Sequence, residues 1–366
     1  MKEIALESSL EQKITVRVKK ESFRSYLFFG LLAFTTIIAF LMELGIGSVT
    51  IPVRDILTTL FDATSANPIQ LKIIQELRLP RALIAGVGGA ALGVAGLQLQ
   101  TLFKNPLADP WTLGLTAGSQ LGVALVVVTA SVVGSSFLES LSFLGNLGVV
   151  LGAALGCAGV LIMMIAISRY VSTITLLIFG LMLGFFAQGM VSVVMHFTNQ
   201  SQGKVFAGWN DGSFAAVYWE HFPVLMPLVF LGLISAWLMA KPLNALLLGE
   251  NYAQSLGLNI KVLRIAALIS AVLLAAPITA YCGPILFLGL IIPHLARGLF
   301  GTSNHRILIP AVILLGATLS QLADLFVHLP WERHFLHLNA VNAVVGAPVV
   351  MWVILKSRKM RTLEAS

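Results

Sequence analysis

Leu147-Gly-Val-Val-Leu-Gly-Ala-Ala-Leu-Gly-Cys157-Ala-Gly-Val-Leu-Ile-Met-Met-Ile-Ala-Ile167 runs for 21 residues without one charged, hydroxyl or amide side chain. A helix needs about 20 apolar residues to cross the hydrocarbon core of a bilayer, so this run predicts a membrane-spanning helix. A strand of an open-lumen barrel would alternate apolar and polar residues instead. The whole chain agrees with that reading. Of its 366 residues 57% are hydrophobic and 11% charged, and the mean hydropathy is +0.91. An ordinary soluble domain is about one quarter charged, so the composition excludes a soluble enzyme and predicts an all-α, polytopic membrane protein.

Ten spans of bilayer length follow, at roughly 27–44, 82–102, 113–133, 147–167, 172–195, 222–240, 263–281, 284–300, 307–327 and 338–355. The boundary at Cys282-Gly283 is the weakest; Pro284 supports a break there, since proline at a helix start forfeits no needed hydrogen bond. Residues 1–26 read as a basic leader, 27–355 as the spanning domain and 356–366 as a tail. The first span is too long and lacks a small-x-small cleavage site, so it reads as an uncleaved anchor. Ile51–Phe61 predicts one small surface helix.

The net charge of +7 sits in short clusters between spans rather than on an aromatic-laced basic face, which argues for membrane lipid and against nucleic acid. With the N-terminus inside, 17 of the 23 basic residues fall on the inner side. That bias places both termini in the cytoplasm. Four of the six outer basic residues, Arg54, Lys72, Arg78 and Arg81, lie in one stretch. Cys157 and Cys282 are the only cysteines and both sit in apolar runs, which argues against a disulfide framework or thiolate metal site. No phosphate-cradling or dinucleotide glycine motif is present, so uphill movement would draw its energy from a partner or an ion gradient.

Ionisable residues in a span are functional candidates by default. Here Glu43, His196 and Asp324 lie near span ends, and the midplane acids expected of an ion-coupled carrier are missing. The bland reading of Asp324 is a satisfied helix-end carboxylate. Gly86, Gly88, Gly89, Gly93 and Gly96 predict close helix packing. Between Lys241 and Arg264, Leu248, Tyr252, Ala253 and Leu256 fall at helical spacing, with Gly249 placed to break the chain and Gly257 to end a helix. The apolar face of such a helix either folds back or docks a partner.

Several stretches resemble one family. Arg78-Leu-Pro-Arg81, Asn105-Pro-Leu-Ala-Asp-Pro110, Leu243-Asn-x-Leu-x-Leu-Gly249 with Ala253-x-x-Leu-Gly257, Gly283-Pro-Ile-x-Phe-x-Gly-Leu-x-x-Pro-His294-x-x-Arg297, Leu322-Ala-Asp324 and Gly346-Ala-Pro348 occur in order. The chain resembles the permease subunits of type II ATP-binding-cassette importers, the iron-siderophore, haem and cobalamin uptake family. The resemblance implies ten helices, a bacterial cytoplasmic membrane location and a second permease subunit, identical or homologous. It also implies two cytoplasmic ATPases that hold ATP and Mg, and an external periplasmic or lipid-anchored binding protein. This chain itself would hold no cofactor and no metal, and do no catalysis.

By the same resemblance, Arg78 and Arg81 match positions that dock the binding protein, with Arg333 a further docking candidate; snorkelling to lipid phosphate is the alternative. Leu248, Gly249, Glu250, Ala253, Leu256 and Gly257 match the ATPase-coupling loop. Ser172 and Thr173 match the cytoplasmic gate, where a plain helix cap explains either hydroxyl as well. Met182, Phe185, Phe186, Gln188 and Met190 suit a wide, bland path for a bulky chelate, although packing would explain them too. His334 and His337 share a helical face and are candidates for meeting an iron complex; the commoner reading is two surface histidines. The expected function is uptake of a ferric siderophore by alternating access, with a haem or cobalamin importer as runner-up. A gradient-driven carrier and a non-transporting scaffold are the rivals from other classes.

Overall fold

The computed structural model describes residues 2–47, 49–61, 67–133, 142–329 and 336–364, with side chains described from Arg24 to Met351 except at Leu60 and 130–147. The described residues are helical, with no strand among them. In chain order the helices are α1 (Lys2–Gly45), α2 (Val53–Phe61), α3 (Pro68–Lys72), α4 (Leu79–Leu102), α5 (Leu115–Val133), α6 (Ser142–Ser168), α7 (Thr173–His196), α8 (Gln200–Asn210) and α9 (Phe222–Leu238). They continue with α10 (Ala240–Leu247), α11 (Glu250–Ser255), α12 (Ile260–Cys282), α13 (Leu288–Phe300), α14 (His305–Val327) and α15 (Leu338–Glu364). Ile73–Arg78 forms a π-helical turn that joins α3 to α4.

Among the described residues, seven helical stretches are long and apolar enough to cross a membrane, and α5, α13 and α15 supply shorter apolar helices. Their positions coincide with the ten expected spans. The backbone is helical through the segments read as leader and tail, so neither begins or ends with a helix boundary at residue 26 or 356. Two details differ from expectation. At the seventh-to-eighth boundary the break is made by Gly283 at φ +75°, and α13 starts only at Leu288, capped by Phe287 in the left-handed region. Pro284 therefore sits in the connection and not at a helix start. The second difference is α8, whose polar sequence hides a helix capped by Asn199 accepting from the Gln202 amide.

α4 is the axis of the bundle. In its apolar window 89% of the residues are buried, against 22% for α1 and 28% for α7. It packs on α14, α13, α12 and α1, while α5 packs on α6 and α7; α12 touches α4, α6 and α9 and joins the two groups. Lipid tails are as apolar as leucine, so close packing and interhelical hydrogen bonds hold such helices together. Both are present. A Cβ built on Gly89 would overlap the Gly316 carbonyl, and one built on Gly96 would overlap the carbonyl of Gly289. Gly118 and Gly122 meet Gly156 and Gly152 in the same way between α5 and α6. Across these seams Thr36 Oγ1 lies 2.7 Å from Thr318 Oγ1, and Gln98 Nε2 donates to Ser270 Oγ at 3.0 Å while that hydroxyl donates to the Gly232 carbonyl at 3.2 Å.

Gly89→Ala and Gly96→Ala are expected to force the backbones apart and cost about 1–3 kcal/mol or more each. Gly30→Ala and Gly159→Ala, where nothing lies within 4 Å, should leave thermal unfolding of the purified protein unchanged. Equal melting temperatures across all four variants would contradict the seam.

Candidate functional site

The segment from Lys241 to Gly257 folds as two short helices at one end of the bundle. α10 buries Leu243 and Leu246, and α11 buries Ala253. Between them Gly249 takes φ +119°, a conformation that L-residues rarely adopt, and Gly257 at φ +82° ends the second helix. The break and the stop fall where the two glycines stand in the sequence. Leu247, Leu248, Tyr252 and Leu256 are exposed, which makes an apolar patch beside Glu250 that none of the described residues covers.

Each short helix has its own anchor. On α10, Asn244 Oδ1 lies 2.7 Å from His305 Nδ1 and accepts from the His305 amide at 2.8 Å, while His305 Nε2 lies 2.9 Å from Thr101 Oγ1. This ties α10 to the starts and ends of α14 and α4. On α11, Glu250 Oε1 accepts from Thr173 Oγ1 at 2.9 Å, and Thr173 Oγ1 accepts from Arg264 Nη2 at 2.7 Å. Arg264 Nη1 donates to the Ser168 and Val171 carbonyls at 2.9 and 3.0 Å. The guanidinium is buried and holds together the end of α6, the start of α7, α11 and its own helix.

The structure separates the two hydroxyls of the expected gate. Ser172 is the cap of α7, its Oγ accepting from the Thr175 amide at 3.2 Å. Thr173 is not a cap, because its hydroxyl is spent between Arg264 and Glu250. Leu113 and Gly114, at the end of the Asn105–Pro110 turn, pack against Gly180 and Gly184 of α7. Within that turn Asp109 is buried, and its Oδ1 accepts from the Thr112 amide at 2.8 Å. Burial pushes its carboxyl up to about 6.

Along α7, Met182, Phe185, Phe186 and Met190 are exposed on the outside of the chain. Gln188 departs from the expected path-lining set. It is half-buried and its amide donates to Gln120 Oε1, and Gln120 Nε2 donates to Asn210 Oδ1 at 2.6 Å. These amides tie α5, α7 and α8 together.

At the opposite end, the two arginines expected to reach outward point inward. Arg78 is 6% exposed, and its guanidinium donates to the Leu44 carbonyl at 2.7 Å and to the Val49 carbonyl, pinning the chain between α1 and α2. Arg81 Nε lies 3.1 Å from Asp324 Oδ2 and 3.8 Å from Glu43 Oε1, with 11% of its side chain exposed. Neither presents a free charge to a partner. The physical reason is that a cation beside a buried carboxylate or a carbonyl pair is stabilised more than one left at an apolar surface. Asp324 Oδ2 is also 3.3 Å from His328 Nδ1 but has no hydrogen-bond partner among the described residues, so the carboxylate is paired by charge and is not the fully satisfied helix-end group expected. The exposed cations in this region are Arg54 and Lys72, the latter beside Glu76. Arg333 and His334 lie outside the described residues; His337 Nδ1 is 3.3 Å from Asp211 Oδ2.

The geometry is that of a helical membrane scaffold with a two-helix segment at one end anchored at two points. Residues 35–356 match the FecCD transport family. The chain belongs to that family. It is 34% identical over 295 residues to the vitamin B12 import system permease protein BtuC of Citrobacter koseri, covering 78% of this chain and 84% of that one. It is 31% identical to the hemin transport system permease protein HmuU of Yersinia pestis, over 91% of this chain and 97% of that one. A solved structure described as an inward-facing conformation of a metal-chelate type ABC transporter superposes with a TM-score of 0.78 at 28% identity, covering 90% of this chain and 99% of the other. The protein is therefore a multi-pass transport permease of the ABC importer type.

Sequence reasoning missed Arg264, which entered only as one inner positive charge, and the Gln120–Asn210 link. An arginine one turn inside an apolar helix was the available signal for the first. Arg81→Met should leave Glu43 and Asp324 buried without their cation and cost about 3–5 kcal/mol. Adding Asp324→Leu should recover part of the lost melting temperature. Full stability in the single variant would show that the cluster is not held by charge.

Proposed function

We propose that the chain is the permease subunit of an ATP-driven importer for an iron complex, a ferric siderophore, working by alternating access. The observation that carries this reading is the α10–α11 segment. It presents Leu247, Leu248, Tyr252 and Leu256 outward on a pair of short helices that the bundle anchors but does not cover. An apolar patch of this kind, outside a membrane span and rimmed by polar residues, calls for a protein partner. The partner is an ATPase: the similar solved structure is described as an ABC transporter, and this chain carries no nucleotide-binding motif of its own.

Two ATPases, a second permease subunit and an external binding protein complete the assembly. The excess of basic residues at the α10–α11 end supports a cytoplasmic position for that end and for both termini, in a bacterial inner membrane. ATP and Mg belong to the partner. This subunit contributes the path, with the exposed Met182, Phe185, Phe186 and Met190 face of α7 on the path side, and the binding protein delivers cargo at the opposite end. Docking there falls to groups other than Arg78 and Arg81, which are committed within the chain; Arg333 is kept as a candidate. The relatives named for vitamin B12 and hemin, and the solved metal-chelate transporter, support a bulky chelate as the cargo class. They also favour haem or cobalamin as the second reading. Binding titrations of haem, cobalamin and ferric chelates against the assembled complex would distinguish these cargoes.

Leu248→Asp and Leu256→Arg replace exposed side chains, so the melting temperature of the permease should hold. ATPase association should fall tenfold or more, since each variant would bury an unpaired charge in an apolar contact, at a cost of about several kcal/mol. Unchanged co-purification and unchanged stimulation of ATP hydrolysis would remove the loop from the interface.

A further inference from the structure

The two helices of the coupling segment are anchored to different parts of the bundle. α10 is tied through Asn244, His305 and Thr101 to α14 and α4, the buried axis. α11 is tied through Glu250 and Thr173 to the start of α7 and to Arg264. Between them stands Gly249, at φ +119° with nothing within 4 Å of a side chain placed there. The chain thus has a joint between a helix fixed to the core and a helix fixed to α7.

We infer that Thr173 and Arg264 are positioning residues that transmit displacement of α11 to α7. The inference rests on the reading of α10–α11 as the ATPase-coupling segment. The hydroxyl of Thr173 is donor to a carboxylate and acceptor from a guanidinium at once, so the two charge-assisted bonds polarise each other in the same direction. Arg264 holds the Ser168 and Val171 carbonyls with its other nitrogen, so the turn from α6 to α7 follows as one piece. When an ATPase pulls α11, the turn is drawn with it while α10 stays on the core. α7, 28% buried against 67% for α12 and 89% for α4, has room to respond. Ser172 takes no part beyond capping α7.

The test uses the permease reconstituted in proteoliposomes with its ATPase, carrying Ile178→Cys as reporter. Ile178 lies one turn into α7 and is exposed, while Cys157 and Cys282 are buried and give little background. Maleimide labelling is timed without nucleotide and after trapping with ATP and vanadate. The parent is expected to change its labelling rate at least threefold on trapping. Thr173→Val, which keeps the shape and loses the hydroxyl, should change less than 1.5-fold, and Thr173→Ser should restore the parent response. Glu250→Ala breaks the same link from the other side and should also respond less than 1.5-fold, which covers the case of a Thr173→Val protein that does not assemble. A Thr173→Val protein that responds like the parent overturns the relay and leaves the coupling reading standing. A parent that assembles with its ATPase but does not respond to nucleotide overturns the coupling reading, and the relay with it.

Discussion

The close approach of α4 to its neighbours sets the terms for the rest of the molecule. At Gly89 against Gly316 and at Gly96 against Gly289 there is no room for a methyl group, so α13 and α14 are held against one face of α4 by backbone contact. Such contacts have essentially one geometry. A helix pair that meets through long side chains can slide by repacking them, whereas one that meets through carbonyls cannot. The α4–α13–α14 group is therefore the rigid part of the bundle, and it carries α10 through the Asn244–His305–Thr101 bonds. α7 meets the bundle on fewer of its residues and offers the rest to its surroundings.

Charge is distributed in keeping with that division. The described spans are largely apolar, and the charged groups taken out of solvent gather near their ends: Glu43, Arg78, Asp324 and the largely covered Arg81 at one, Asp109 and Arg264 at the other. The composition alone understated them, because a low overall count of charges does not say how many are buried. Each of the arginines has carbonyl or carboxylate partners, so each serves as a clamp between elements. A chain of clamps at the helix ends has no relay of acids across the middle, and this fits a transporter that is worked by a partner's ATP.

Much of this was legible in the sequence. Hydropathy located the spans because apolar length is a direct consequence of bilayer thickness, and Gly249 and Gly257 marked the breaks in the α10–α11 segment because few other residues take positive φ. The direction of a side chain was not legible. Arg78 and Arg81 read as outward charges, since sequence gives a residue's place along the chain and not the carbonyls of Leu44 and Val49 or the carboxylate of Asp324 that the fold brings to it. Thr173 and Ser172 looked equivalent as caps, and only the approach of Glu250 and Arg264, 77 and 91 residues away, tells them apart. α8 was lost because its polar composition resembles a loop, and its start depends on a single cap at Asn199.

The proposal that a partner's ATP works this scaffold is tested by uptake of the cargo that binds the complex, followed in proteoliposomes that contain the permease, the ATPase and the binding protein. Uptake that requires ATP and the ATPase, and that persists when ionophores collapse every ion gradient, is the predicted result. Uptake that continues without the ATPase and stops when the gradients collapse would contradict it.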